Sequence, residues 1–360
     1  MNSLDSGSST LSSALSRLMR GEHLSLRQAA ELLETILASS TTDAQIAAVL
    51  TALSIKGETA EELAGMAATM REFSVRIRSK HRTFIDTAGT GSSHVKSFNV
   101  STASAFVIAG AGLPVAKHGA RAATSQSGSA DVLIELGLNI NAPVEIMERA
   151  LNEIGICFMF APLYHTATAR VARVRRELGM RTIFNLLGPL TNPAGAPRQL
   201  LGVSRSATAE LMARALRELG TERTWIVHGM DGLDEVSISD QTLVWEVNDG
   251  QVRNFEIAPE DFQMARESTE HLRSGNAATN AQIIHEVLSG TRRDVARSLV
   301  LLNAAAALYV GGSASALSSL ESTRIMAEES IDNGSALSKL KQLIEMTKPS
   351  IAPAAEARSS

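Results

Sequence analysis

The sequence predicts an α/β protein: a small all-helical domain, then a larger domain with a central, mostly parallel sheet flanked by helices. Three observations carry this reading. Before residue 75 apolar residues recur at helical spacing, whereas after Thr83 short apolar runs alternate with helical segments. The third is composition: 44% of the 360 residues are hydrophobic but only 4% are aromatic, which suits aliphatic helices packed on a buried sheet and is enough for a sizeable core.

Taken in order, residues 1–9 are rich in Ser and Gly and are expected to fray. Three helix starts follow by one device, since Ser25 with Gln28, Thr42 with Gln45 and Thr59 with Glu62 each fit a capping box ahead of an apolar run. Four short helices to about Phe73 therefore make a bundle. Leu32, Leu33 and Ile36, then Ile46, Val49, Leu50 and Leu53, form more than one apolar stripe, one for the bundle core and another for a partner subunit. Residues 75–82 are basic and polar and read as a solvated connector or hinge.

From Thr83 the runs at 84–86, 101–111, 115–116, 129–136 and 157–160 have the rhythm of strands and crossover helices. Residues 165–178 look helical, 224–227 and 242–247 look like strands around a turn, and helices at 276–288 and 294–308 complete the layer. The expected domains are 1–75 (helical) and 83–345 (α/β), with 346–360 a tail. No internal repeat is visible.

A net charge of -4 provides no basic field for a polyanion, so nucleic acid is not an expected partner. Cys157, the only cysteine, lies in an apolar run and reads as a core residue; it cannot form an intrachain disulfide or a Cys-based zinc site. Neither a signal-like start nor a stretch of about 18 apolar residues is present. The expectation is a soluble cytoplasmic protein with no membrane partner.

Three segments carry chemistry. Asp86-Thr-Ala-Gly-Thr-Gly-Ser-Ser-His94 follows a strand and leads through Asn99-Val-Ser-Thr102 into a helix, so glycine-turn amides and a helix N-terminus converge where phosphate could sit. By itself this is a weak signal, lacking the third glycine of a dinucleotide fingerprint and the Gly-Lys-Ser/Thr of a P-loop. Lys117-His-Gly-Ala-Arg121 with Ser125-Gln-Ser-Gly-Ser129 makes a second anion-binding mouth, and two mouths suggest a diphosphate. Asp234-Glu235, after Gly229 and Gly232, offers adjacent hard oxygen ligands suited to Mg²⁺ shared with substrate phosphates. His228 reads as structural.

Together these segments resemble the anthranilate phosphoribosyltransferase family of tryptophan biosynthesis, from about residue 10 to about residue 345. The most specific matches are Gly89-Thr-Gly91, Phe98-Asn-Val-Ser-Thr-Ala-Ser104, Lys117-His-Gly119, Ala161-Pro-Leu-Tyr-His165, the long run from Val174 to Pro193, Gly232-Leu-Asp-Glu235 and Leu302-Asn-Ala-Ala-Ala-Ala307. The resemblance implies that helices near 165–195 join the N-terminal bundle, that the protein is a homodimer through this helical part, and that it uses Mg²⁺ to transfer the phosphoribosyl group of phosphoribosyl pyrophosphate to an aromatic amine or acid.

By motif, the resemblance implies that Gly89, Thr90, Gly91, Asn99, Ser101 and Thr102 hold pyrophosphate and Mg²⁺, and that Lys117 meets the substrate phosphates. Ser92, Gly119 and Ser129 join the substrate contacts. Asp234 and Glu235, with Ser101, serve the metal. Arg175 takes the carboxylate of anthranilate with His118 nearby. No covalent nucleophile is implied, only transition-state stabilisation by Lys117, Arg175 and Mg²⁺.

The sequence departs from the family pattern at Ser92, Ser93, Ala120, Gln126 and Thr166, beside the acceptor and ribose-phosphate positions. These leave open a different aromatic carboxylate as acceptor. Two further readings are a pyrimidine nucleoside phosphorylase, against which Asp234-Glu235 argues, and a non-catalytic binding relative, against which the acidic balance argues.

Overall fold

The computed structural model describes residues 3–91, 98–122, 127–270, 272, 274–312 and 319–349. Four helices come first: α1 (Ser3–Met19), α2 (Leu26–Leu37), α3 (Asp43–Lys56) and α4 (Ala60–Glu72). All three capping boxes form, with the Ser25, Thr42 and Thr59 side chains accepting from the backbone N–H of Gln28, Gln45 and Glu62; a cap of this kind contributes about 1 kcal/mol. Glu62 also holds the bundle from within. Its buried carboxylate accepts from the N–H groups of Leu24 and Thr59 and from Lys56 Nζ, each at 2.9 Å, so the charge leaves water with a full set of partners.

Two expectations are corrected here. Helix α1 starts at Ser3 rather than fraying to residue 9. Leu11, Ala14 and Leu18 bury one side of it, and extending a helix already nucleated costs little compared with starting one. The connector at 75–82 is exposed in part but is tied down. Val75 N–H donates to the Tyr164 carbonyl at 2.8 Å, and the N–H groups of Arg78 and Lys80 donate to Glu148 and Asn152 at 2.8 and 2.7 Å.

The rest of the chain runs β1 (Ile85–Gly89), α5 (Val100–Gly110), β2 (Val115–Gly119), α6 (Ser129–Glu135), α7 (Val144–Glu153), β3 (Ile156–Phe160), α8 (Ala161–Tyr164), α9 (Ala169–Leu178), α10 (Phe184–Leu190), β4 (Arg198–Gly202), α11 (Ser206–Glu218), β5 (Arg223–Gly229), β6 (Thr242–Asn248), β7 (Gln251–Ile257), α12 (Ala277–Leu288), α13 (Val295–Gly311), α14 (Leu320–Asp332) and α15 (Ser335–Thr347). The seven strands form one sheet in the order β3-β2-β1-β4-β5-β6-β7. Strands β3 to β5 pair in parallel, and β6 and β7 are antiparallel.

Two of these strands went unread in the sequence. β4 pairs with both β1 and β5 but opens on Arg198 and Gln199, and the buried Gln199 amide is satisfied by the Pro189 carbonyl at 3.0 Å. β7 closes a hairpin through Asp249 and Gly250, both at positive φ (47° and 74°), the turn that an Asp-Gly pair favours.

The sheet separates two cores. Helices α5 to α7 and α12 to α15 cover one face. The other core runs without a break from Leu32 and Leu53 through Val174 and Leu187 to Leu201 and Ile226, so the N-terminal bundle, α9, α10 and α11 pack as one mass against the sheet. Helix α5, which follows β1, and α11, which follows β4, therefore lie on opposite faces. Adjacent strands whose crossovers diverge leave a crevice at their carboxyl ends. Among the described residues, no helix is long and apolar enough to cross a membrane.

Candidate active site

β1, β2, β4 and β5 all end in glycine: Gly89, Gly119, Gly202 and Gly229. A Cβ at Gly202 would overlap the Asp234 carbonyl, and one at Gly119 would lie 2.8 Å from the Phe158 ring. Their absence lets the loops close over the strand ends. Thr90 N–H donates to the Gly202 carbonyl at 2.9 Å, which joins the turn after β1 to the end of β4.

The acidic pair meets this turn. Gly91 N–H interacts with the Asp234 carboxylate and Ser101 N–H, at the start of α5, with that of Glu235. Both carboxyls sit at the crevice partly buried. Burial raises the pKa of Asp234; burial and the charge of Asp234 push Glu235 up to about 8, against the opposing pull of Lys117. Two neighbouring carboxylates under this strain fit a divalent cation. Among the described residues no group of three or more His, Cys, Asp and Glu side chains converges, so the donors suit Mg²⁺ completing its shell with water and phosphate oxygens rather than a closed protein cage.

Lys117 lies on β2 and is buried. Its Nζ donates to the carbonyl of Thr87, to Thr87 Oγ1 at 3.4 Å and to Ser101 Oγ at 3.3 Å, and burial lowers its pKa. It supports the crevice from below, with its charge near Glu235 and Asp86. Asp86 in turn ties three segments, accepting from His118 N–H at 3.1 Å and Asn192 Nδ2 at 2.7 Å, and burial raises its pKa to about 6.

Asn99 precedes α5 at φ 25° without capping it by its side chain. The Thr102 hydroxyl is buried with no partner among the described residues. Ser129 starts α6 and donates to the Ala120 carbonyl at 3.4 Å, while Arg121 pairs with Asp131 at 3.2 Å and so is engaged within its own loop. Ser92, Ser93 and Gln126 lie outside the described residues. Ala120 and Thr166 are exposed.

The helical side of the crevice is built differently. His118 shares Nδ1 with the Gly188 carbonyl of α10 at 3.2 Å and packs edge-on to His165 at 5.1 Å. Burial holds both rings neutral, with pKa values lowered to about 3 for His118 and about 4 for His165. Arg175 on α9 is braced from α10: Nη2 donates to Asn185 Oδ1 at 3.2 Å, and the guanidinium lies 5.5 Å from the Phe184 ring centre. Asn185 also accepts from Thr182 N–H at 3.0 Å. His118 Nε2, the Tyr164 hydroxyl, Arg175 Nε and Thr182 Oγ1 are buried without partners among the described residues, while the His165 ring meets the Thr191 backbone.

The structure thus places Gly89, Thr90, Gly91, Ser101, Lys117, Asp234 and Glu235 in one connected array, with Asn99, Thr102, Gly119 and Ser129 at the adjoining strand-to-helix turns. His118 reaches from β2 to the helical side, where Arg175 stands. His228 behaves structurally, Nδ1 meeting the Val203 carbonyl at 3.0 Å, and Cys157 is buried on β3. The sequence reading did not single out His165, Asn185 or Asn280. His165 and Asn185 lie inside quoted motifs, and Asn280 is a polar residue on a helix face otherwise lined by Ala281, Ile284, Val287 and Leu288.

Comparison with known proteins places this geometry. Residues 12–74 match the helical bundle domain of a glycosyl transferase family and residues 81–337 match its a/b domain. The anthranilate phosphoribosyltransferase of Moorella thermoacetica is 46% identical over 334 residues, 93% of this chain and 97% of that protein. That of Desulfosudis oleivorans is 47% identical over 337 residues, 94% of this chain and 98% of that protein. The crystal structure of the Thermus thermophilus enzyme superposes with a TM-score of 0.86 at 37% identity, covering 93% of this chain and 99% of that one. The Saccharomyces cerevisiae enzyme in complex with PRPP and Mg gives 0.85 at 29% identity, covering 94% and 98%. The chain belongs to the anthranilate phosphoribosyltransferase family.

Proposed function

We propose that the crevice binds phosphoribosyl pyrophosphate with Mg²⁺ and passes its phosphoribosyl group to anthranilate, giving N-(5-phosphoribosyl)anthranilate and pyrophosphate in tryptophan biosynthesis. One observation supports this most: the glycine turn after β1, the start of α5 and the Asp234-Glu235 pair meet at the sheet's switch point, with partnerless polar groups on the helical side facing an acceptor's needs. The Saccharomyces cerevisiae relatives carry PRPP and Mg in one structure and 4-fluoroanthranilate in another.

In this reading the backbone N–H groups of residues 89–91 and the start of α5, with Asn99, Ser101 and Thr102, hold the pyrophosphate; Ser92, Gly119 and Ser129 flank the donor. Asp234 and Glu235, with Ser101, hold Mg²⁺, which when bound offsets the charge that grows on the leaving pyrophosphate. The amine nitrogen of anthranilate attacks C1 of the ribose as the bond from C1 to the pyrophosphate oxygen breaks, and the nitrogen then loses a proton. Fixed N–H donors that gain strength as that charge develops lower the barrier more than they stabilise the ground state. Lys117 sets the field beneath the phosphates. Arg175 takes the acceptor carboxylate, and the neutral His118 ring lies beside it. An arylamine is already neutral at pH 7, so positioning is the main requirement.

Residues 1–75 with the helices between 165 and 195 form the acceptor-side body and residues 83–345 the donor-side body. Met19 and Ile55, 76% and 81% exposed on the bundle, support a homodimer through the helical part. The test of function is a steady-state assay with phosphoribosyl pyrophosphate and Mg²⁺, following anthranilate fluorescence and pyrophosphate release across a panel of aminobenzoates and hydroxybenzoates. Anthranilate consumption matched by pyrophosphate release is expected. Release with another acid alone would overturn the acceptor assignment, and no release with any would overturn the reaction.

A further inference from the structure

Asn99 occupies the N-cap position of α5, where an asparagine side chain ordinarily accepts from an amide of the first helical turn. It does not do so here. Its Oδ1 accepts instead from Ser127 Oγ and from Asn280 Nδ2, each at 3.2 Å, and its Nδ2 donates to the Ser127 carbonyl at 3.4 Å. Asn280 is 0% exposed. Its Nδ2 also donates to Ser127 Oγ at 2.8 Å, and its Oδ1 accepts from Gly275 N–H at 2.8 Å. One buried amide therefore joins the turn before α5, the turn before α6 and the segment before α12.

We propose that Asn280, on α12, is a positioning residue that holds the β1–α5 and β2–α6 turns in the arrangement that receives the phosphoribosyl donor. The proposal rests on the reading of the crevice given above. By engaging the Asn99 side chain, Asn280 and Ser127 fix its place at the donor site and leave the first amides of α5 uncapped for an incoming anion. The polar amide is also the kind of group that a buried helix face retains only with its partners satisfied; its Nδ2 reaches the two turns beside the donor site and its Oδ1 anchors it to the segment before its own helix.

The experiment compares wild-type protein with Asn280→Asp, Asn280→Ala and Ser127→Ala, measuring thermal midpoint and both Michaelis constants at saturating Mg²⁺. Asn280→Asp keeps the shape but replaces the donor with an acceptor facing Asn99 Oδ1. Ser127→Ala removes the bridge from the loop side and guards against a helix variant that does not fold. A rise of roughly tenfold in the donor Michaelis constant is expected in the folded variants, with the anthranilate constant within about twofold of wild type. A combined Ser127→Ala/Asn280→Ala protein should lose no more than the worse single variant. Equal movement of both constants, or a lowered thermal midpoint with neither constant changed, would show a structural role only and overturn the proposal. Wild-type protein that neither turns over nor binds the donor with Mg²⁺ would instead overturn the crevice reading, and this proposal with it.

Discussion

On the strand side of the crevice, Lys117, Ser101, Asn99, Ser127 and Asn280 are bonded to one another or to the strand backbone; on the helical side, His118 Nε2, the Tyr164 hydroxyl and Arg175 Nε are buried with no partner among the described residues. Each unpaired buried polar atom costs about 1–3 kcal/mol. Apart from the Thr102 hydroxyl, the strand side is thus assembled before any substrate arrives, whereas the helical side carries a larger cost that a polar, planar acceptor recovers on binding. Pre-organisation belongs to the charged donor, and selectivity to the acceptor.

The largest effect expected from breaking this contrast is at the acidic pair. Asp234→Ala or Glu235→Ala should reduce Mg²⁺-dependent turnover by roughly a thousandfold or more while the protein stays folded, because burial already raises both carboxyl pKa values and the charge of Asp234 raises that of Glu235 further. Steady-state rates with a thermal melt check it; near-normal turnover in either variant would remove the metal assignment. Next comes the acceptor side, where Arg175→Ala should raise the anthranilate Michaelis constant by roughly 10–100-fold and leave the donor constant nearly unchanged. Asn185→Ala, which removes the brace of Arg175, should move the same constant in the same direction by about tenfold or less. Parallel changes in both constants would mean that the two sides are not separate.

The smallest effect separates the sides by pH. Burial depresses the His165 pKa to about 4, below the roughly 6.5 of an unfolded chain. Between those values the unfolded chain holds the extra proton, so this contribution to stability is present at neutral pH and is lost as pH falls. His165→Gln should therefore lose less stability than wild type between pH 7 and pH 5, by about 2 kcal/mol. Urea melts at the two pH values measure this; equal losses would show that His165 is not held neutral by the fold.

What the sequence made legible follows the range of the interactions. The capping boxes at Ser25, Thr42 and Thr59 need only residues three apart, and all three were readable. The turn at Gly89 to Gly91 was visible as a phosphate loop but ambiguous alone, because the pair that explains it lies at Asp234 and Glu235 and only the β1–β4–β5 pairing brings them together. β4 was unreadable for a similar reason: its polar Arg198 and Gln199 contradict a central strand until Pro189 supplies the buried partner. Asn280 looks like a blemish on an apolar helix until Asn99 and Ser127 are seen against it. Asp249-Gly250, by contrast, was a local hairpin signal that could have been read.

The most direct test of the two-sided account is a crystal structure with phosphoribosyl pyrophosphate, Mg²⁺ and an anthranilate analogue that cannot react. The account predicts pyrophosphate on the turn at residues 89–91 and the start of α5, the metal on Asp234 and Glu235, and the analogue's carboxylate within hydrogen-bonding distance of Arg175. An analogue bound among the strand-side residues, with Arg175 making no contact to it, would contradict it.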